Sequence, residues 1–219
     1  MSVHTIVLAA GEGSRMKSKR AKSLQRIGGT SMLHKICTTA GKISPKITLV
    51  VGFDQDSVIK EANEYDLEIS IAQQPKAIGT GDAVKCGLTQ VEKESKVLVL
   101  YGDVPLIQED TLRKLIETSD DSLSILTTVL DNPYGYGRVA KDDSGNALSI
   151  VEEKDATDVE REINEIFTGV LCGPKSLLDE GLSIINNNNA AGEYYLTDLI
   201  SIINEKGYKI KTHEASNNE

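Results

Sequence analysis

The segment Leu8–Met16, with the sequence LAAGEGSRM, has the residue types of a phosphate-binding loop. It follows the apolar run 4–9, which is short and continuous, as in a strand buried on both faces of a parallel sheet. Gly11 and Gly13 allow positive φ and close backbone approach, so successive amide N–H groups can converge on an anion. Arg15 adds a charge that does not titrate at physiological pH. The segment therefore predicts a phosphate site at the carboxyl end of a strand.

Two familiar phosphate loops do not fit this segment. The dinucleotide-binding fingerprint needs a third glycine or an alanine at position 16, which is Met16 here. A P-loop needs Gly-Lys-Ser or Gly-Lys-Thr after four intervening residues, and that sequence is absent. A glycine-rich turn between a strand and a helix also occurs for geometric reasons alone. The rest of the chain must therefore decide between a ligand site and a plain turn.

A second segment, Tyr101–Leu106 (YGDVPL), places a carboxylate directly after the apolar run 96–100. The carboxyl ends of parallel strands lie on one edge of a sheet, so Asp103 can approach a phosphate held by the glycine segment. Mg²⁺ is the natural cation to share between a carboxylate and phosphate oxygens. Gly102 and Asp103 alone would equally suit a turn before Pro105. Their coincidence with the glycine segment favours the metal interpretation.

Strand-like and helix-like stretches alternate along the first 131 residues. The strand-like runs lie at 47–51, 67–72, 96–101 and 122–130, and the helix-like stretches lie near 31–42, 54–64, 80–91 and 109–117. Such a βαβ series predicts an α/β fold with a mostly parallel central sheet and helices on both faces. Later the pattern is irregular, with a turn at 143–146 and a strand-like run at 165–171. We expect this later part to form a substrate lid or pocket.

The composition excludes several classes of partner. Lys and Arg number 24 against 33 Asp and Glu, a net charge of −9, so neither nucleic acid nor an anionic membrane is expected. There is no Trp and there are only two Phe, which argues against a base-stacking platform. The cysteines Cys37, Cys86 and Cys172 are far apart, and no signal peptide or run of 18 apolar residues is present. These features predict a soluble protein of the reducing cytoplasm.

Seven features in this order resemble the uridyltransferase domain of bacterial N-acetylglucosamine-1-phosphate uridyltransferase. They are LAAGEGSRM, Lys22, Gly79-Thr80-Gly81, YGDVPL, GYGR at 135–138, VEEKDAT at 151–157 and GEYYLTD at 192–198. The similarity spans nearly the whole chain. It implies a Rossmann-like nucleotidyltransferase fold over residues 1–219, with a nucleotide-binding half (1–131) and a smaller sugar-binding lobe (132–219). It also implies transfer of UMP from UTP to N-acetylglucosamine 1-phosphate, which yields pyrophosphate and UDP-N-acetylglucosamine for cell wall biosynthesis.

This reaction needs no nucleophile or general base from the protein. The second pKa of a phosphate is about 6, so the attacking sugar phosphate oxygen is already ionised at neutral pH. The reaction still needs the substrates to be positioned and their negative charges to be neutralised. The resemblance gives these catalytic roles to Arg15, Lys22 and Asp103, with Asp103 as the magnesium ligand. The histidines are scattered and are interpreted as structural or solvated: His4, His34 and His213.

The resemblance also implies the binding residues. Those expected at the nucleotide are Leu8, Ala9, Ala10, Gly11, Gly13, Gln74, Gly79 and Thr80. Gln74 and the pair Gly79-Thr80 match positions that recognise uracil, where a carboxamide can complement the imide edge. Those expected at the sugar are Tyr101, Gly102, Gly137, Glu152, Phe167, Thr168, Tyr195 and Thr197. The alternative interpretations are an ordinary surface lysine for Lys22 and an exposed acidic cluster for Glu152.

Three departures from the family pattern affect these expectations. Ala21 stands where the family has proline, which removes a rigid residue before Lys22 but keeps the charge. Phe167 stands where the family has an asparagine that binds the sugar, so another sugar 1-phosphate is an alternative substrate. After Glu219 the family supplies a second metal ligand and a left-handed β-helix acetyltransferase domain. We therefore expect neither acetyl transfer nor the trimer of that domain, and a catalytically impaired nucleotide-binding fragment is the remaining alternative.

Overall fold

The strand-like runs up to residue 101 form the parallel part of a sheet. In the computed structural model, which describes residues 2–13 and 16–216, this sheet has nine strands. The strands of the described residues, including a separate two-stranded ribbon of β2 and β3, are β1 (Val3–Leu8), β2 (Arg26–Ile27), β3 (Thr30–Ser31), β4 (Lys46–Val51), β5 (Ile69–Gln73), β6 (Lys96–Tyr101), β7 (Ser124–Val129), β8 (Arg138–Lys141), β9 (Ala147–Val151), β10 (Glu165–Pro174) and β11 (Lys211–Glu214). The predicted mostly parallel sheet is confirmed, since β6, β1, β4 and β5 are adjacent and parallel.

Helices cover both faces of this sheet. They are α1 (Met32–Ile43), α2 (Gln55–Ala62), α3 (Thr80–Leu88), α4 (Glu109–Thr118), α5 (Asp158–Arg161), α6 (Lys175–Ile184) and α7 (Asp198–Glu205), and a short 3-10 helix spans Lys22–Leu24. Within β1, Ile6 belongs to one buried apolar cluster and Val7 to the other, because successive side chains of a strand point to opposite faces. The first cluster lies beneath α3, α6 and α7, and the second beneath α1, α2 and α4.

The second half adds strands of the opposite direction. β10 lies between β6 and β7 and is antiparallel to both, and β11 pairs with β7 in parallel at the edge of the sheet. A hairpin of β8 and β9 attaches to β10, and its turn is closed by a bond of 2.8 Å from the Asn146 amide to Oδ1 of Asp142. The turn predicted at 143–146 is thus confirmed. Among the described residues, no helix combines the length and the apolar composition that a membrane crossing requires.

Candidate functional site

The carboxyl ends of β1 and β6 open onto a cleft of about 250 Å³. Leu8 and Tyr101, the last residues of these two neighbouring strands, are directly paired in the ladder. The glycine segment and the YGDVPL segment therefore leave the sheet side by side, as expected for parallel strands. The residues that line the cleft are Leu8, Ala9, Ala10, Gly11, Lys22, Ser23, Gln74, Ala77, Gly79, Thr80, Ala83, Tyr101, Gly102, Asp103 and Glu193.

The backbone of the glycine segment lies close to the YGDVPL segment on one side and to Lys22 on the other. Gly102 donates its amide to the Leu8 carbonyl at 2.9 Å, and a Cβ atom at position 102 would also lie 2.9 Å from that oxygen. Gly13 has φ of +64°, and a Cβ there would lie 2.7 Å from Cβ of Lys22. The amide N–H groups of residues 11–13 donate to no other described residue, so they are candidates for contacts with an anion. Arg15 lies outside the described residues.

Lys22 and Asp103 form an ion pair at the cleft. Their side chains are 41% and 24% exposed, so the pair remains open to solvent and to ligands. Lys22 begins the short 3-10 helix, which Leu24 anchors in the core with no exposed area. Just before it, the Ala21 amide donates to Oδ2 of Asp54 at 3.0 Å, a bond that proline could not make. The backbone before Lys22 is therefore held by a hydrogen bond where the family has a rigid residue.

Gln74 directly follows β5 and is only 6% exposed. Its Nε2 atom donates to the Gly79 carbonyl at 3.0 Å and to Oδ2 of Asp82 at 2.8 Å. Gly79 has φ of +131°, and a Cβ there would lie 2.3 Å from the Tyr194 carbonyl oxygen. Asp82 could not be predicted from the sequence, because one acidic residue in the first turn of a helix is common and indicates only a favourable interaction with the helix dipole.

Side chains from the two later motifs meet beside Tyr101. The Thr197 hydroxyl donates to Oε1 of Glu152 at 3.0 Å, while burial raises the pKa of Glu152 and the bond from Thr197 opposes that rise. Burial also raises the pKa of Tyr101, and the charges of Glu152 and Asp103 add to the rise. Tyr195 shows a raised pKa from burial and from nearby carboxylates, Glu152 among them. These predicted sugar-site residues are neighbours, although of the four only Tyr101 lines the cleft.

Gly137 belongs to the same region. A Cβ at this position would lie 2.8 Å from a methyl carbon of Ile150 and 3.7 Å from Oε1 of Glu152. Arg138, only 2% exposed, donates from Nη2 to Oε2 of Glu153 at 2.7 Å, and the Gly135 amide donates to the same oxygen at 3.1 Å. One carboxylate thus holds the GYGR loop against the VEEKDAT motif.

Phe167 and Thr168 are not among the residues that line the cleft. Phe167 is 6% exposed and belongs to the apolar cluster that contains Val139 and Ile150. Its backbone amide nevertheless donates to the Gly137 carbonyl at 2.9 Å, which keeps position 167 beside the predicted sugar site. The Thr168 hydroxyl donates to the Leu126 carbonyl at 2.9 Å.

The donor set for a metal is small. In the part of the chain that the structure describes, no group of three or more His, Cys, Asp or Glu side chains could hold a metal ion. None of the three histidines lines the cleft. Of the described residues, Asp103 and Glu193 are the acidic ones that line the cleft, and a single carboxylate suits a Mg²⁺ ion that takes most of its ligands from phosphate oxygens and water.

Comparisons with known proteins identify the family of the chain. Residues 5–156 match the model of the MobA-like NTP transferase domain. The chain is 44% identical over 203 residues to the bifunctional protein GlmU of Francisella philomiragia, with 92% of this chain and 44% of that protein covered. It is 42% identical over 213 residues to the GlmU of Clostridioides difficile, with 96% of this chain and 46% of that protein covered. The chain thus spans about half the length of these curated relatives.

A solved structure described as a glucose-1-phosphate thymidylyltransferase from Bacillus anthracis has the same fold. Its TM-score is 0.77 at 16% identity, over 98% of this chain and 87% of that one. The Rossmann-like nucleotidyltransferase fold expected from the motifs is therefore confirmed. The matched domain also covers β6 and residues 5–8 of β1, the ends of the two strands that bear the cleft. The chain belongs to the MobA-like NTP transferase family.

Proposed function

We propose that this chain is a Mg²⁺-dependent uridyltransferase that transfers UMP from UTP to N-acetylglucosamine 1-phosphate and releases pyrophosphate. Its family and its fold support nucleotidyl transfer to a sugar 1-phosphate. The observation that carries the proposal is the cleft itself. It combines a glycine-rich backbone segment, the Lys22–Asp103 pair and the amide of Gln74.

The proposed division of labour follows the chain. Residues 1–131 bind UTP, with the backbone amides of residues 11–13 and the ammonium of Lys22 at the triphosphate and Gln74 at the base. Residues 132–219 bind the sugar, with Gly137, Glu152 and Thr197 as its nearest groups. The attacking oxygen of the sugar phosphate is already ionised, so these groups need only orient it and offset the repulsion between two anions.

The ion pair of Lys22 and Asp103 suits this task because both partners are partly exposed. A triphosphate that enters the cleft can take the Lys22 ammonium as a charged hydrogen-bond donor, which leaves the Asp103 carboxylate available. Enzymes of this family generally use a divalent metal. When bound, Mg²⁺ would offset charge on the phosphate oxygens. We assign Asp103 to hold it, because this carboxylate is paired with Lys22 at the cleft.

The experiment is a pyrophosphate-release assay on the purified chain. It pairs each nucleoside triphosphate with a panel of hexose and hexosamine 1-phosphates, with Mg²⁺ and with excess EDTA. We expect release only with Mg²⁺, most rapidly with UTP and N-acetylglucosamine 1-phosphate. Equal rates with UTP and CTP would contradict the base assignment, and no release with any sugar 1-phosphate would contradict the enzyme assignment.

Position 167 supports a second candidate within the same reaction class. A buried Phe at a position beside Gly137 offers no hydrogen bond to an acetamido group. A sugar 1-phosphate that presents an apolar edge there would suit the ring better. The same panel of substrates separates the two candidates. If the second candidate is right, pyrophosphate release is fastest with UTP and the 1-phosphate of a sugar other than N-acetylglucosamine.

A further inference from the structure

Asp82 lies in the first turn of α3 and contacts the cleft only through Gln74. Its Oδ2 atom accepts a hydrogen bond of 2.8 Å from Nε2 of Gln74, and the Gly79 carbonyl accepts another of 3.0 Å from the same nitrogen. An ionised carboxylate and a carbonyl can only accept hydrogen bonds. The nitrogen of the Gln74 amide must therefore face them, since the amide oxygen would place acceptor against acceptor.

This arrangement uses both protons of the Gln74 amide. No described residue donates a hydrogen bond to its Oε1 atom, and the residue lines the cleft. Gln74 is only 6% exposed, and a rotation of its side-chain amide would lose both bonds. Gln74 thus presents a hydrogen-bond acceptor, and not a donor, to a ligand in the cleft.

On the basis of the proposed nucleotide site, we propose that Asp82 is a positioning residue for base specificity. It holds the Gln74 side-chain amide so that the amide oxygen accepts a hydrogen bond from the base. Uracil and thymine carry an N–H donor at N3, which this oxygen can accept. Cytosine carries a lone pair at N3, which would face the same oxygen. The discrimination thus comes as much from a repulsive contact with the wrong base as from an attractive contact with the right one.

The test compares Asp82→Ala with Asp110→Ala. Asp110 also lies in the first turn of a helix, α4, but it is exposed and does not line the cleft, so its substitution controls for the loss of a charge at a helix end. Titration calorimetry measures the Kd values of UTP, CTP and dTTP for the full chain with Mg²⁺ and without sugar phosphate. The readout therefore does not depend on which sugar the chain accepts.

We expect Asp82→Ala to lower the ratio of the CTP Kd to the UTP Kd by about 10-fold, the effect of one hydrogen bond of ordinary strength. The ratio of the dTTP Kd to the UTP Kd should not change, because both bases present an N–H donor at N3. Asp82→Asn, whose side-chain oxygen can still accept from Gln74, should keep most of the parent's ratio.

A uniform loss of affinity for all three nucleotides in Asp82→Ala would overturn the positioning role, as would an equal fall of the ratio in Asp110→Ala. A ratio in Asp82→Asn as low as in Asp82→Ala would also overturn it. A parent chain that binds UTP and CTP equally would instead overturn the proposed uridine specificity, and this inference with it. The two failures are thus distinguishable.

Discussion

The Thr197 hydroxyl donates to Oε1 of Glu152 at 3.0 Å and joins two motifs that are 45 positions apart in the chain. Thr197 is 5% exposed, so water does not easily replace this bond. Burial, with help from Asp198 and Asp155, raises the pKa of Glu152, and the bond from Thr197 acts against that rise. The hydroxyl therefore helps to keep an acceptor carboxylate at the predicted sugar site.

Thr197→Val should raise the pKa of Glu152 further, because it removes the donor that stabilises the charged form. If the carboxylate binds the sugar, kcat/KM for the sugar 1-phosphate should then fall on acidification at a higher pH than in the parent. Thr197→Ser keeps the hydroxyl and should show the parent's pH profile. The measurement is kcat/KM against pH for all three chains. Superimposable profiles of the Val variant and the parent would contradict this role.

Asp103→Asn should lower turnover by about 100-fold or more, equivalent to about 3 kcal/mol of transition-state stabilisation, if its carboxylate holds the metal as proposed. Its partly exposed pair with Lys22 contributes little to stability, so the free energy of unfolding should change by less than about 1 kcal/mol. Glu92→Gln removes the carboxylate of another exposed ion pair, with Lys46, and should leave turnover unchanged. Full activity of Asp103→Asn at saturating Mg²⁺ would rule out the assignment.

The parallel half of the fold could be predicted because its signals are local. The run 4–9 is short, continuous and rich in β-branched residues, which is typical of a strand buried on both faces, and it forms β1 (Val3–Leu8). Once β1 and β6 are parallel, the meeting of the glycine segment with Asp103 follows from geometry. The resemblance then added Gln74, which lies far from both segments in the sequence.

The other features of the fold and the site depend on contacts between residues that are distant in the sequence. The run 165–171 predicted a strand but not its direction, and β10 is antiparallel because of the path of the chain before it. The partner of Gln74 was missed because Asp82 has the pattern of an ordinary helix-end acid. Likewise, the replacement of proline by Ala21 suggested a looser backbone, and only the fold shows the bond to Asp54.

Ala21→Pro tests that bond. Ala21 has φ of −50°, which proline can adopt, so the substitution gains about 0.4–1 kcal/mol by restricting the unfolded chain. It loses the hydrogen bond to Asp54, which contributes about 1 kcal/mol. We expect a change of less than about 1 kcal/mol in the free energy of unfolding, measured by urea denaturation, and unchanged turnover. A tenfold loss of turnover would mean that the Ala21 amide positions Lys22.

Glu153→Gln should destabilise the chain, because it leaves the buried Arg138 guanidinium without its charged partner. The pKa of Glu153 is lowered in the folded chain by the Gly135 amide and by Arg138. Its stabilising effect is therefore present above its unfolded pKa and is lost as the pH falls through the lower, folded value. The Tm of Glu153→Gln should lie below that of the parent at neutral pH and approach it in acid.

The control is Glu162→Gln, which replaces an exposed carboxylate just after α5 and should not change Tm. Thermal unfolding of the three chains from pH 7 to pH 3 tests the direction in which the Tm difference changes with pH. A Tm difference between parent and Glu153→Gln that grows as the pH falls would contradict the assignment.

Phe167→Asn restores the amide of the family pattern at a position whose backbone is bonded to Gly137. Loss of a buried ring from its apolar cluster should cost about 3 kcal/mol or more of stability, so assays must run well below Tm. We expect kcat/KM for N-acetylglucosamine 1-phosphate to rise by about 10-fold, the scale of one hydrogen bond, while the Kd of UTP stays unchanged.

Phe167→Leu separates the two ways in which the ring could limit the sugar. It removes aromatic volume from the cluster but adds no hydrogen-bonding group, so a gain in the Asn variant alone assigns the effect to the amide. An equal gain in both variants would mean that the ring only occupies space that the sugar needs. If neither variant gains with N-acetylglucosamine 1-phosphate, residue 167 acts in the core alone, and the sugar must be recognised by Gly137, Glu152 and Thr197 without it.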